Sequence, residues 1–203
     1  MTEKIPEYGW SILATAMRGV HVDSPEAWLR TLRELAEPVE LQVFDAGGLA
    51  GRGHLYFAVL FALKAFEEAT NVSMSLPMEV LLQASAQRQV SKAIEVLGVK
   101  PGVNDVVVVL MSKDDAELQR AFAKLTDAYR GVIDESLLNL SPAKLQALRP
   151  FFDISDVELS SECHARDPAL ALTNLIMERM TLEAARRRPS RRAPREKPST
   201  ARS

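Results

Sequence analysis

Residues 39–44 alternate apolar Val39, Leu41 and Val43 with polar Glu40 and Gln42, the two-residue period of a half-buried strand. Residues 10–16 read as a first strand, and residues 106–111, four valines followed by leucine and methionine, suit a strand covered on both faces. Between them the period changes to that of helices. Ser24-Pro25 supplies an N-cap and a first-turn proline for a helix that stops at Pro38. A glycine-rich stretch, residues 45–53, feeds a helix from about His54 to Ala69. Lys64 is its one charged side chain between Leu55 and Phe66, the profile of a central, buried helix. Met78, Leu81 and Leu82 fit either a short helix or a buried strand. Val90, Ala93, Ile94 and Leu97 fall at i, i+3, i+4 and i+7, with Gly98 where a helix C-terminal glycine belongs. Asp114 and Glu117 form a capping-box-like start to a helix through Tyr129. Ser141-Pro142 and Ser155 with Glu158 announce two small helices, and Asp167-Pro168 opens a final one reaching about Arg188. Three strands among some seven helices predict a mixed, helix-rich α/β fold, a small central sheet surrounded by helices, in a single domain over residues 1–188.

Charge divides the chain. The formal net charge of -2 combines a terminal stretch, residues 186–203, holding eight Lys or Arg and one Glu, with a remainder holding 17 Lys or Arg against 26 Asp or Glu. An acidic body with a basic tail points to a polyanion partner for the tail and not for the body. Residues 189–203 contain no apolar side chain larger than alanine, so they are expected to be disordered. The 47% hydrophobic content of 203 residues suffices for one core. A single cysteine, Cys163, forms no internal disulfide framework. The N-terminus lacks a signal-peptide layout, and the longest apolar run, residues 55–63, is far short of the roughly 20 residues that span a bilayer. A cytoplasmic protein with no membrane partner is expected.

Candidate catalytic groups read more simply as structure. Gly48, Gly51 and Gly53 follow a strand and precede a helix, as in an anion-binding cradle, but GxxGxG is neither the dinucleotide fingerprint nor a P-loop. A structural hinge is the preferred reading, and a small nucleotide- or metabolite-binding protein using this loop is the alternative. His21, His54 and His164 lack ligand-like spacing, and adjacent Cys163 and His164 do not make a zinc site alone, so no metal or other cofactor is expected. Asp114-Asp115 and Glu67-Glu68 read as caps and solvated faces, because adjacent helical residues point apart. No nucleophile and base assemble into an enzyme signature. Recognition remains. Arg88 and Lys92, four apart, would share a helix face with Gln89 beside them, an arrangement that grips phosphates and hydrogen-bonds an unpaired base. Two basic residues on an exposed helix face are also commonly just solvated. Lys64, alone on an apolar helix, calls for water or an anion nearby.

The segments FDAGGLAGRGHLYFAVLFALKAFEE (44–68), MEVLLQASAQRQVSKAIEVLGVKPG (78–102) and LTNLIMERMTLEA (172–184) change this picture. In order and spacing they resemble the small regulatory subunit of the KEOPS complex, the PRPK-binding protein family in its archaeal type. Residues 134–167 match only loosely, and the basic tail departs from the family pattern. The resemblance implies a non-catalytic subunit that binds the kinase-like ATPase of KEOPS. It also implies help in recruiting tRNA, including its single-stranded 3′ CCA end, for threonylcarbamoyl-adenosine modification beside the anticodon. Arg88 and Gln89 occupy the family's Arg-Gln positions; Lys64 and Lys92 are added on local chemistry. On the final helix Leu172, Ile176 and Met180 form one apolar stripe while Leu170 and Met177 lie nearly opposite. If the first stripe packs on the body, the second is free for the kinase-like partner. Coverage of both sides by other parts of the chain is the competing reading.

Overall fold

The structure, a computed structural model, describes residues 2–162 and 167–187. Cys163, His164 and the predicted tail over residues 189–203 lie outside the described residues. The strands are β1 (Glu3–Ile5), β2 (Trp10–Val22), β3 (Glu40–Asp45) and β4 (Gly102–Ser112). The helices are α1 (Pro25–Ala36), α2 (Arg52–Glu67), α3 (Leu76–Ala84), α4 (Val90–Leu97), α5 (Asp115–Ala128), α6 (Pro142–Phe151), α7 (Asp156–Glu162) and α8 (Pro168–Ala185). The strands form one sheet in the order β1-β2-β4-β3, each pairing antiparallel. The fold is a mixed, helix-rich α/β arrangement, as the periodicities predict.

Alternation along β4 sorts its side chains into two cores. Val107, Val109 and Met111 pack with residues of α2, α3, α4, α6 and α8, while Val106, Val108 and Leu110 pack with α1 and α5 on the opposite face. All six are buried, so this strand is covered on both sides. Each such side chain contributes about 1.5–3 kcal/mol by leaving water. The side chains of Ser24, Asp114, Ser141 and Asp167 accept backbone N–H groups at the starts of α1, α5, α6 and α8. At α7 the box is reciprocal: Ser155 N–H donates to Glu158 Oε2 at 2.9 Å, and Glu158 N–H donates to Ser155 Oγ at 3.2 Å.

Four expectations need correction. The sheet has a fourth strand: β1 is only three residues long and pairs with β2 across a turn in which Gly9 takes φ +64°. Three residues leave too little alternation to read. The first strand also runs on to Val22, past a register shift between Met17 and Val20 where Gly19 has φ +66°. β3 is buried on both faces: Gln42 is 3% exposed, donates from Nε2 to Pro77 O at 2.7 Å, and accepts Val43 N–H at 2.9 Å. A polar residue that satisfies its amide internally thus counterfeits a solvent-facing position. Finally, α2 is not buried all round. Leu55, Ala58, Val59 and Ala62 seat it in the core, whereas Tyr56, Phe57, Leu60, Phe61 and Phe66 are half-buried.

Candidate nucleic-acid interface

Met78, Leu81 and Leu82 resolve as helix, within α3. That helix ends in a Schellman motif: Ala86 N–H donates to Gln83 O at 3.0 Å and Gln87 N–H to Leu82 O at 3.1 Å, with Ala86 in the left-handed region at φ +49°. The turn throws the chain outward, and Arg88 and Gln89 are exposed beyond it. Gln89 is the N-cap of α4, and its side chain makes no capping bond. Arg88 therefore precedes the helix in a bend, and the premise that Arg88 and Lys92 share one helical face does not hold. Lys92 lies exposed within α4. Among the described residues Arg88 and Lys92 are in no ion pair, so both charges face solvent.

α4 also differs from its predicted stripe. Ala93 and Leu97 are buried, but Ile94 is 45% exposed. Gly98 has an ordinary φ of -76°, and its role is close approach: a Cβ there would run into Ile94 O. Lys64 is exposed on α2 and 3.8 Å from Glu68 one turn on, so a carboxylate of its own helix supplies the counter-charge expected from an anion.

Beneath this edge lies a buried ion pair. Arg187 Nη1 donates to Glu79 Oε1, and Arg187 Nη2 donates to Gln87 O at 3.1 Å. Glu79 Oε1 also accepts from Gln83 Nε2 at 3.1 Å, and Oε2 accepts the Val72 and Ser73 N–H groups at 2.9 and 2.8 Å. The side chains of Arg187 and Glu79 are 2% and 0% exposed. The clasp joins α3, the segment before it, the end of α8 and the residue preceding Arg88. By sequence Arg187 is one of the eight basic residues of 186–203, and the one signal for its buried role is Glu79, a lone carboxylate inside the apolar run of Met78, Val80, Leu81 and Leu82. Arg187 and Lys64 line one small pocket of about 150 Å³. On the other side of the joint, an open pocket of about 360 Å³ is lined by Ser85, Ala86, Gln87, Phe151, Leu182 and Arg186, among others. Phe151 is 43% exposed there, and α8 is braced to the α6–α7 joint by Arg179, which bonds Phe152 O, Asp153 O and Glu158.

Three backbone donors of the glycine-rich stretch are engaged internally. Gly47 N–H bonds Asp45 Oδ1 at 2.8 Å, Leu49 N–H bonds Ala46 O at 3.4 Å, and Ala50 N–H bonds His54 Nδ1 at 3.0 Å. Gly48 presses on Leu97, and Gly51, at φ +86°, lies against Leu138 O. A carboxylate beside three engaged donors makes a poor phosphate cradle, and the close contacts of Gly48 and Gly51 favour the hinge. His54 is buried; because Nδ1 accepts, Nε2 carries the proton and donates to Ala84 O at 2.8 Å. Burial pushes its pKa down to about 4. Among the described residues, no three His, Cys, Asp or Glu gather as metal ligands, and no helix is long and apolar enough to cross a membrane.

α8 divides as its two stripes suggest. Leu172, Ile176 and Met180 are buried, with Leu175 beside them, while Leu170 is 51% exposed and Met177 is half-buried. The fold thus joins a four-stranded α/β core to a polar joint on one edge and a partly exposed apolar strip on α8. The kinase-binding protein CGI-121 family matches residues 21–184, and the chain belongs to that family. It is also 30% identical, over 116 residues, to Regulatory protein Cgi121 of Methanocaldococcus jannaschii, covering 57% of this chain and 72% of that protein.

Proposed function

We propose that this chain is the non-catalytic regulatory subunit of a KEOPS complex in the cytoplasm. It binds the kinase-like ATPase and helps recruit tRNA, including its 3′ CCA end, for threonylcarbamoyl-adenosine modification beside the anticodon. Membership of a kinase-binding family supports the first partner, and Leu170 and Met177 on the outer face of α8 are the residues that meet it. One geometric observation carries the RNA reading. Arg88 and Gln89 stand exposed beside an open pocket that offers the Phe151 ring, and Arg88 has no ion-pair partner among the described residues. A phosphate-binding guanidinium, an amide and an exposed aromatic ring are the groups by which proteins hold splayed, unpaired nucleotides. Lys92 and Lys64 extend the positive edge, Lys64 weakly because Glu68 shares its charge.

The experiment is co-purification with the kinase-like ATPase, together with titration of tRNA carrying or lacking its three terminal nucleotides. Arg88→Ala is expected to weaken binding of intact tRNA and to reduce the salt slope by about 1, as loss of one phosphate contact does. Equal binding of intact and trimmed tRNA refutes recognition of the end.

A further inference from the structure

Seven lysines lie among the described residues, and six of them, Lys4, Lys64, Lys92, Lys100, Lys113 and Lys124, are exposed. Lys144 is drawn in from solvent. It occupies the first turn of α6, three residues after the Ser141 cap, and its side chain reaches back past the helix start, where Nζ donates to Leu137 O at 2.7 Å. Among the described residues no carboxylate stands within ion-pair distance of it. A cation in the first turn also opposes the helix dipole. Lys144 lines an open cleft of about 650 Å³ whose walls include Ala46, Leu137, Leu140, Ala143 and Ala147. Of the charges around it, Arg18 is tied to Asp105 at 3.3 Å and to Asp134 at 2.6 Å, and buried His54 is uncharged at neutral pH. Asp45, whose Oδ1 accepts Gly47 N–H at 2.8 Å, is the carboxylate whose field favours the ammonium. Partial burial outweighs that field and lowers the Lys144 pKa from 10.5 to about 8.

We propose that Lys144 is an acylation site, whose ε-amine takes a small acyl group from an acyl phosphate and keeps the resulting amide in this cleft. The lone pair of Nζ attacks the acyl carbon and the C–N bond forms. The C–O bond to phosphate breaks, phosphate leaves with the electron pair, and the proton lost by nitrogen passes to water. The product suits the place better than the ammonium does. An amide retains one N–H for Leu137 O, carries no charge to be desolvated or to oppose the helix dipole, and lays its methyl against the apolar walls. Reactivity follows from the same surroundings. A pKa of about 8 against the ordinary 10.5 makes the neutral amine about 200-fold more abundant at about pH 7.5. The weaker nucleophilicity of a less basic amine takes back about half of that gain on a logarithmic scale, as for thiols, leaving about tenfold selectivity over an exposed lysine. The cleft shares no lining residue with the pocket beside Arg88, so the site stands apart from the RNA reading.

The full chain is incubated with acetyl phosphate from about pH 6.5 to 10.5, and acetylation of each lysine is followed by peptide mass spectrometry. At about pH 7.5 Lys144 is expected to react about tenfold faster than Lys92, Lys100 or Lys124, with a rate that levels off above about pH 8 while theirs keeps rising. A rate at Lys144 no greater than at those three overturns the proposal, and so does an inflection as high as theirs. A second protein, Ala147→Glu, sets a carboxylate one turn on from Lys144 at an exposed position of α6, and circular dichroism confirms that it is folded. There the inflection is expected to rise and Lys144 to slow about threefold at about pH 7.5, the effect of a one-unit rise in pKa, with the other lysines unchanged. An unaltered Lys144 rate in this variant overturns the proposal, because the missing counter-charge is then not what frees the amine.

Discussion

Removing the Arg187 guanidinium while leaving Glu79 in place strands a carboxylate that has no access to solvent. Glu79 is 0% exposed, and its remaining donors are the Val72 and Ser73 N–H groups and Gln83 Nε2. Those three bonds hold part of the charge, so Arg187→Met is expected at the low end for a broken buried pair, about 3 kcal/mol. Glu79→Gln keeps an oxygen for Val72 and Ser73, and Arg187 sits at the end of α8, from where it swings out to water; about 2 kcal/mol is expected. The double variant removes both charges and retains the acceptor, so its loss is expected near that of Glu79→Gln alone, a coupling of about 3 kcal/mol. Urea unfolding followed by far-UV circular dichroism, with equal m values across the four proteins, measures the cycle. Adding salt to about 1 M leaves the coupling of a buried pair largely intact, whereas a surface pair loses most of it. An Arg187→Met cost below about 0.5 kcal/mol, within the range of surface substitutions, refutes the clasp.

Other perturbations test separate parts of the molecule. His54 titrates near its ordinary 6.5 when unfolded and at about 4 when folded, so its contribution is complete above pH 6.5 and is lost as pH falls toward 4. That loss is about 3 kcal/mol in urea titrations against pH, and His54→Gln should flatten this part of the profile. Met177→Glu is expected to weaken binding of the kinase-like ATPase at least tenfold by calorimetry with the melting temperature unchanged, and unaltered affinity sinks the α8 surface. Gly48→Ala drives a methyl into buried Leu97 and should cost about 1–3 kcal/mol of stability.

The polar joint shows how sequence and packing divide the work. Residues 79–98 already announce an apolar segment, exposed Arg88 and Gln89, and a following helix, because polarity and propensity are local properties. The claim that Arg88 and Lys92 share a face fails for a tertiary reason: the Schellman turn at Ala86 places Arg88 before the helix begins. Gln42 and Arg187 mislead in the same way. Each is polar, each is buried, and each is bonded to a partner 35 or 108 residues away. No local window contains such a partner.

The amino-acid sequence by itself determined the existence of the strands of four or more residues, the helices other than α3, the side-chain caps at Ser24, Asp114, Ser141, Ser155 and Asp167, the buried character of β4, the inner stripe of α8 and the resemblance that the family match bears out. These follow from periodicity and from side chains that act on their own backbone. Only the tertiary structure decided that β3 is covered on both faces, that α2 keeps an aromatic flank half-exposed, and that Arg187 closes on Glu79. Burial and ion pairing belong to pairs of distant residues, and the chain acquires those pairs only when the sheet and its two helical layers come together.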